Sequence, residues 1–304
     1  MSRLLIATRR SRLALWQAEH IKARLEQLHA GLAVDLLPMS TRGDELLDQR
    51  LDQAGGKGLF VKELENAMLA GRADLAVHSM KDVPADLPAG FTLAAITARE
   101  DPRDAFVSRS YSSLEEMPEG SVIGTSSLRR STQIAARHPT LRIALLRGNV
   151  ETRLAKLDRG EYDAIVLAVA GLVRLGLAAR IRSRLGADES LPAPGQGALG
   201  IECLQSRREV VSLLEPLADR ATTLCVRAER AVSRALGGSC TLPLAAYAES
   251  ANGRIQLRAL VASADGKRIA RAEAAGDDPE SLGAAVVEVL RERGATEILA
   301  SLGH

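Results

Sequence analysis

The sequence predicts an α/β protein: two α/β blocks with mostly parallel sheets, followed by a small α+β domain. Three observations carry this reading. Short apolar runs alternate with amphipathic stretches over the first two-thirds of the 304 residues, the pattern of strands joined by helices. Residues 164–169 form a continuous apolar run, as in a strand covered on both faces. From about Thr222 the pattern changes to one helix, three alternating strands and a last helix. At about 100–200 residues per domain, the length agrees with two or three domains.

The elements follow in order. Leu4 to Ala7 is a short apolar run and reads as a buried strand. Ser11 can cap a helix through about Leu28, with an apolar face of Ala14, Ala18, Ile21, Leu25 and Leu28 at helical spacing. Val34 to Met39 is a strand. Gly55-Gly56-Lys57-Gly58 is too flexible for either element and is a loop. A helix from about Val61 to Leu69 precedes a strand from Asp74 to Val77. The second block repeats the logic: strand 121–123, helix from Gly124-Thr125-Ser126-Ser127 to about Arg137, strand 141–145, helix 150–159, strand 164–169. Glu100-Asp101-Pro102-Arg103 and the Pro/Gly-rich stretch 191–197 read as crossovers, and a short strand, 198–202, returns to the first sheet. The last region holds a helix from Thr222 to Leu236, a Gly237-Gly238 turn, strands near 245–248, 255–261 and 268–274, and a helix over 279–293.

Composition removes several function classes. Forty basic against thirty-eight acidic residues give a net charge of +2, which disfavours a general nucleic-acid binder. Three Phe, three Tyr and one Trp are too few for a stacking platform. The longest apolar run, 164–173, is about half of a bilayer span. Three cysteines make no disulfide framework, and five histidines show no ligand spacing with them, so no metal is expected. Thr8-Arg9-Arg10-Ser11 resembles a twin-arginine export signal, but Glu19, Lys22, Arg24 and Glu26 interrupt the apolar stretch such a signal needs. The expectation is a cytoplasmic protein with no membrane or nucleic-acid partner.

Candidate chemistry gathers in loops at the C-terminal ends of strands, where ligands bind in open α/β sheets. Thr125, Ser126 and Ser127 put hydroxyls and backbone N–H groups at a helix N-terminus, with Arg129 and Arg130 just beyond. That suits a carboxylate or phosphate, or else it is a plain cap followed by surface arginines. Arg9 and Ser11 follow the first strand. Arg147, Gly148 and Asn149 follow another, with Arg153 one turn on, and Arg174 lies just after Ala170-Gly171. Their joint placement points to a cleft for a ligand with several negative charges. Gly55-Gly56-Lys57-Gly58-Leu59-Phe60 lacks the spacing and hydroxyl of a phosphate loop and reads as a mobile lid or a surface loop. Asp82, in Ser79-Met80-Lys81-Asp82-Val83-Pro84, is either an acid/base or cation-stabilising group or half of a structural Lys–Asp pair. Cys203 and Cys225 read as packing residues. Cys240, in Gly237-Gly238-Ser239-Cys240-Thr241, is either an accessible nucleophile or a buried small hydrophobe.

These segments together resemble the porphobilinogen deaminase (hydroxymethylbilane synthase) family, from about Leu5 to Leu299. The strongest stretches are 55–65, 76–84, 100–107, 124–130, 146–153, 157–176 and 191–202. The resemblance implies a transferase of porphyrin and heme biosynthesis. It would join four porphobilinogen molecules head to tail with loss of ammonia, then release the linear tetrapyrrole hydroxymethylbilane by hydrolysis. It implies one dipyrromethane primer held by a thioether to Cys240. Asp82 matches the catalytic aspartate, which would steady the azafulvene cation. Arg9, Ser11, Ser79, Lys81, Asp82, Thr125, Ser126, Ser127, Arg129, Arg130, Arg147, Gly148, Arg153, Arg174 and Gln196 match positions that hold the carboxylates of the cofactor and the growing pyrrole chain. Lys57 and Phe60 match a mobile active-site loop. Two positions depart from the pattern: Gln53 stands where some relatives have lysine, and Arg12 where proline is frequent.

The implied fold has two periplasmic-binding-protein-like lobes with mostly parallel mixed sheets and a small C-terminal α+β domain. Domain 1 would be residues 1–98 and 198–216 and carry Asp82. Domain 2, residues 103–192, would bind anions, and domain 3, residues 220–304, would present the cofactor cysteine. A monomer is expected. Two rivals use parts of the same sequence. A non-catalytic two-lobed anion-binding module would need the arginines but not Asp82 or Cys240. A cysteine acyltransferase would need a histidine base beside Cys240, and none can be assigned.

Overall fold

The structure is a computed structural model and describes residues 2–41, 43, 61–237, 242–251 and 253–302. The chain divides into two compact units, Met1–Glu100 with Ala198–Thr223, and Asp101–Gly197 with Leu224–His304.

The first unit is built on a five-stranded sheet of order β2-β1-β3-β10-β4. Its strands are β1 (Arg3–Arg9), β2 (Ala33–Met39), β3 (Leu75–Ser79), β4 (Phe91–Ile96) and β10 (Leu199–Leu204). β1 runs parallel to β2 and β3, whereas β10 is antiparallel to β3 and β4. Helix α1 (Arg12–Leu28) starts where Ser11 accepts the Ala14 N–H at 3.3 Å, which satisfies one of the orphan donors of the first turn. It buries Ala14, Gln17, Ala18, Ile21 and Leu25. Leu28, expected on that face, is 43% exposed, and the polar Gln17 is buried in the stripe. Helix α2 (Lys62–Leu69) covers the other face of the sheet through Leu64, Ala67 and Met68. Alternate strand residues feed the two cores: Leu4, Ile6, Leu75 and Ile201 pack with Ile21 and Leu25, while Ala7 and Ala76 pack with Leu64 and Met68. Burial on both faces explains why these strands read as unbroken apolar runs.

The second unit holds a five-stranded sheet of order β7-β6-β8-β5-β9 and a three-stranded sheet of order β11-β12-β13. The former comprises β5 (Asp104–Ser108), β6 (Val122–Gly124), β7 (Arg142–Ala144), β8 (Ala164–Ala168) and β9 (Ser183–Leu185). β6 is parallel to β7 and β8, and β5 is antiparallel to β8 and β9. Helix α3 (Leu128–Arg137) sends Ile134 to one face, against Phe106, Ile123 and Val166. Helix α4 (Val150–Asp158) sends Leu154 and Leu157 to the other, where α5 (Val169–Arg174) adds Leu172. The third sheet, β11 (Leu244–Ala251), β12 (Arg254–Ala262) and β13 (Ile269–Gly276), is wholly antiparallel. Its core is closed by α7 (Arg220–Ala235), α8 (Pro279–Glu292) and α9 (Ala295–Ala300). The remaining helix, α6 (Arg208–Leu214), packs Val210 and Leu214 into the first core.

The α/β class and the C-terminal α+β region are as the sequence predicts, with one refinement. Both large sheets are mixed, as expected, but each has two parallel and two antiparallel strand pairings, so they are half and not mostly parallel. The strands that reverse direction, β5 and β10, are those by which the chain enters a unit, just after Glu100 and just after Gly197. They need no right-handed crossover helix, so the alternation rule does not apply to them. Strands β4, β5 and β9 are additions to the sequence reading. Among the described residues, no helix is long and apolar enough to cross a membrane.

Candidate active site

In the first unit, the parallel strands β1 and β3 lie side by side, with Ile6 opposite Leu75 and Ala7 opposite Ala76. Their C-terminal ends therefore open on one edge of the sheet. Arg9 and Ser11 come from the end of β1, Ser79 and Asp82 from the end of β3, and all four line one cavity of about 60 Å³. Gln17, buried on α1, donates from Nε2 to the Ser79 hydroxyl at 2.8 Å and so fixes that serine.

Asp82 ends a single 3₁₀ turn, Met80–Asp82, anchored by the buried Met80 side chain. The Met80 N–H donates to the Ala198 carbonyl at 3.0 Å. Opposite it, Gly200 leaves room for the thioether: a Cβ there would lie 2.3 Å from Met80 Sδ. Among the described residues, no hydrogen bond or ion pair engages the Asp82 carboxylate. The structural Lys81–Asp82 pair that the sequence allows is not formed.

Beneath this turn lies a buried titratable group that the sequence did not signal. His78 Nε2 meets Glu202 Oε2 at 2.9 Å, with side chains 4% and 0% exposed. Burial, reinforced by the Glu202 charge and opposed by His78 and Lys62, pushes Glu65 up to about 7. Glu65 Oε1 and Glu202 Oε1 are buried without a hydrogen-bond partner among the described residues.

In the second unit, β6, β7 and β8 are parallel, so the segments after them also share an edge. After β6, the buried Thr125 Oγ1 accepts the Ser127 N–H at 3.2 Å. Ser127 occupies the N-cap of α3 but makes no side-chain cap bond. Its hydroxyl and the first N–H groups of α3 are thus a donor set at the positive end of the helix. After β7, Gly148 has φ +110°, and a Cβ would come within 2.7 Å of Thr152, so glycine is required there. Asn149 caps α4 by accepting the Thr152 N–H at 2.8 Å, and Arg153 Nε donates to the Gly148 carbonyl at 2.7 Å. Lys156 Nζ donates to the Arg147 carbonyl at 3.4 Å. After β8, Arg174 ends α5 and donates to the Gly197 carbonyl at 2.6 Å.

Arg129 and Arg130 have a partner that the sequence did not show. Both are buried around Asp104, which is fully enclosed at the start of β5. Arg129 Nη1 lies 2.8 Å from Asp104 Oδ2, and Arg130 Nη2 2.7 Å from Oδ1. Ser190 donates to the same carboxylate at 2.7 Å and Gln196 at 3.0 Å. Arg129 also donates to the Leu191 carbonyl at 2.7 Å and Arg130 to that of Val166 at 3.1 Å. Burial alone would raise the Asp104 pKa, but the two guanidiniums and their hydrogen bonds hold it well below the usual carboxylate range. The pair reads as a bracket that fixes the N-terminus of α3, rather than as surface arginines.

Two of the three cysteines are described. Cys203 and Cys225 are both buried, and burial, aided by the neighbouring Glu202 against Arg207, pushes Cys203 up to about 11. Cys203 is therefore poorly suited to act as a thiolate. Cys240, Lys57 and Phe60 lie outside the described residues. Among the described residues, no cluster of metal-ligating side chains is present.

The family model described as porphobilinogen deaminase, dipyromethane cofactor binding domain, matches residues 4–212. The one described as porphobilinogen deaminase, C-terminal domain, matches residues 223–292. Porphobilinogen deaminase of Bordetella parapertussis is 59% identical, covering 99% of this chain and 97% of its own. That of Thiobacillus denitrificans is 58% identical, covering 99% of both. Among solved structures, the periplasmic aliphatic sulphonate binding protein of Escherichia coli aligns at 13% identity. It covers 77% of this chain and 70% of its own, with a TM-score of 0.42.

Proposed function

The chain belongs to the porphobilinogen deaminase family, and we propose from this premise that it catalyses the hydroxymethylbilane synthase reaction. It joins four porphobilinogen molecules head to tail with release of ammonia and frees the linear tetrapyrrole by hydrolysis. The observation that carries the reading is the Asp82 carboxylate, free of any protein partner among the described residues, in a cavity it shares with Arg9, Ser11 and Ser79.

The dipyrromethane group, when bound, supplies a covalently anchored pyrrole end onto which substrate units are added. Its four carboxylates fit the chemistry of the donor set: the N–H groups and hydroxyls at Thr125, Ser126 and Ser127, and the guanidiniums of Arg147, Arg153 and Arg174. These groups give charge-assisted hydrogen bonds to acidic side arms. Gly148 shapes the loop that carries Arg147, and Arg129, Arg130 and Gln196 hold Asp104 and with it the start of α3. Arg9, Ser11, Ser79 and Lys81 bind carboxylates on the Asp82 side. Cys240 carries the thioether; the burial of Cys203 and Cys225 favours it. Lys57 and Phe60 match the family's active-site loop.

Asp82 does the proton and charge work. It holds a proton at the substrate amine as ammonia departs, and its carboxylate then steadies the cation left on the pyrrole. A fixed negative charge that spends nothing on a protein partner is most effective for this where water is excluded. A non-catalytic anion-binding module would have no use for such a carboxylate.

The domains we propose are residues 1–98 with 198–216, 103–192 and 220–304. The enzyme is read as a cytoplasmic monomer that binds no nucleic acid, in keeping with its near-balanced 40 basic and 38 acidic residues. The test is the intact mass of the denatured protein with peptide mapping. Two linked pyrrole units on the Cys240 peptide, and ammonia release on adding porphobilinogen, are the expected results. A bare Cys240 with no ammonia after incubation would overturn the reading.

A further inference from the structure

A second cavity lies wholly within the second unit and contains none of the residues assigned above. Its volume is about 420 Å³, within the range of small-molecule sites. Four arginines line it: Arg137 at the end of α3, Arg258 on β12, Arg271 on β13 and Arg293 just past α8. The acids facing them are Asp188 and Glu273.

The four guanidiniums outnumber the two acids of the lining, and the internal pairing is concentrated on one of them. Arg258 takes Asp188 at 2.8 Å and Glu249 at 3.0 Å. Arg137 donates to the Asp188 carbonyl and lies near the Glu115 charge, and Arg293 Nη1 donates to the Arg271 carbonyl at 2.7 Å. The Arg271 guanidinium has no hydrogen-bond or ion-pair partner among the described residues. Burial, with the Arg137 charge added and Asp188 opposing, lowers its pKa. Arg137, Arg271 and Arg293 are solvent-exposed, so their donors are open to an entering anion.

We propose that this cavity binds a small organic anion bearing two or more separated acidic groups. The guanidiniums come from four different segments, so together they can hold more than one acidic group. Bidentate forks suit carboxylates, and Ala187, Leu191, Ala259 and Ala272 supply apolar wall for a carbon body. The site touches the Arg129–Asp104 bracket of its own unit through Leu191, whose carbonyl accepts from Arg129 at 2.7 Å and whose N–H donates to Gln133 at 2.8 Å.

The probe is citrate, titrated calorimetrically into the full-length holoenzyme at low ionic strength, with inorganic phosphate as comparison. Citrate should bind in the millimolar range or tighter, and about tenfold tighter than phosphate. Arg271→Gln should weaken citrate by about tenfold while leaving the denaturation midpoint and porphobilinogen turnover unchanged, because that side chain holds nothing in the fold. Glu273→Gln, which removes an opposing charge, should tighten citrate. Absence of citrate binding, equal affinity for phosphate, or an unchanged citrate affinity in Arg271→Gln would each overturn the proposal.

Discussion

Asp82 and Asp104 both stand at the edge of a five-stranded sheet, one in each unit, yet the fold treats them in opposite ways. Asp104 is fully buried, and two arginines, a serine and a glutamine close on it. Its charge is spent on holding the start of α3. Asp82 is half-buried on a three-residue turn, lines a cavity, and keeps its carboxylate free of protein partners among the described residues. A carboxylate that is caged builds structure, whereas one that is positioned by its backbone and left unpaired remains available to a cationic substrate. The two should therefore separate stability from turnover when each is removed.

The largest effect is expected from Asp104→Ala. It strands two buried guanidiniums and should cost about 3–5 kcal/mol of stability, read as a fall in the denaturant midpoint. Asp82→Asn should do the reverse: stability within about 0.5 kcal/mol of the parent, turnover lower by about 10²–10³-fold. Equal loss of stability in both variants would break the comparison.

A third carboxyl group sharpens it. Glu65 is buried near Glu202 with no guanidinium to hold its charge, and its pKa is pushed up to about 7. A carboxyl group whose folded pKa lies above its unfolded value contributes stability when protonated. That contribution is present below about pH 4.5 and lost as pH rises through about 7. The loss should amount to on the order of 2–3 kcal/mol, and Glu65→Gln should flatten this part of the stability–pH curve. The smallest expected change is Gly148→Ala, where a Cβ would sit 2.7 Å from Thr152 at φ +110°. About 1–3 kcal/mol of strain should appear, with a raised KM for porphobilinogen because the loop carries Arg147 and accepts from Arg153.

What could be read in the sequence was local. The order strand, hydroxyl, helix placed Ser11, Ser79 and Thr125–Ser127 at strand ends, and the structure finds them there. What could not be read were partners far apart along the chain. Asp104 meets Arg129 across 25 residues, Gln17 meets Ser79 across 62, and His78 meets Glu202 across 124. No spacing rule links such pairs. Strand β9, Ser-Arg-Leu, is too short and polar to announce itself, and β5 opens on the charged Asp104, a residue type that argues against a buried strand until its two arginines are seen. Leu28 was misplaced because helical periodicity continues to the last turn whether or not anything packs there. Cys240, Lys57 and Phe60 lie outside the described residues, and their roles are drawn from the sequence and the family.

The most direct measurement is ammonia release from porphobilinogen by Asp82→Asn, made beside its denaturation midpoint and its intact mass. The account expects a folded protein, with an unchanged midpoint, that has lost most turnover. Near-parental ammonia release from that variant would remove Asp82 from the chemistry and contradict the division between the two aspartates.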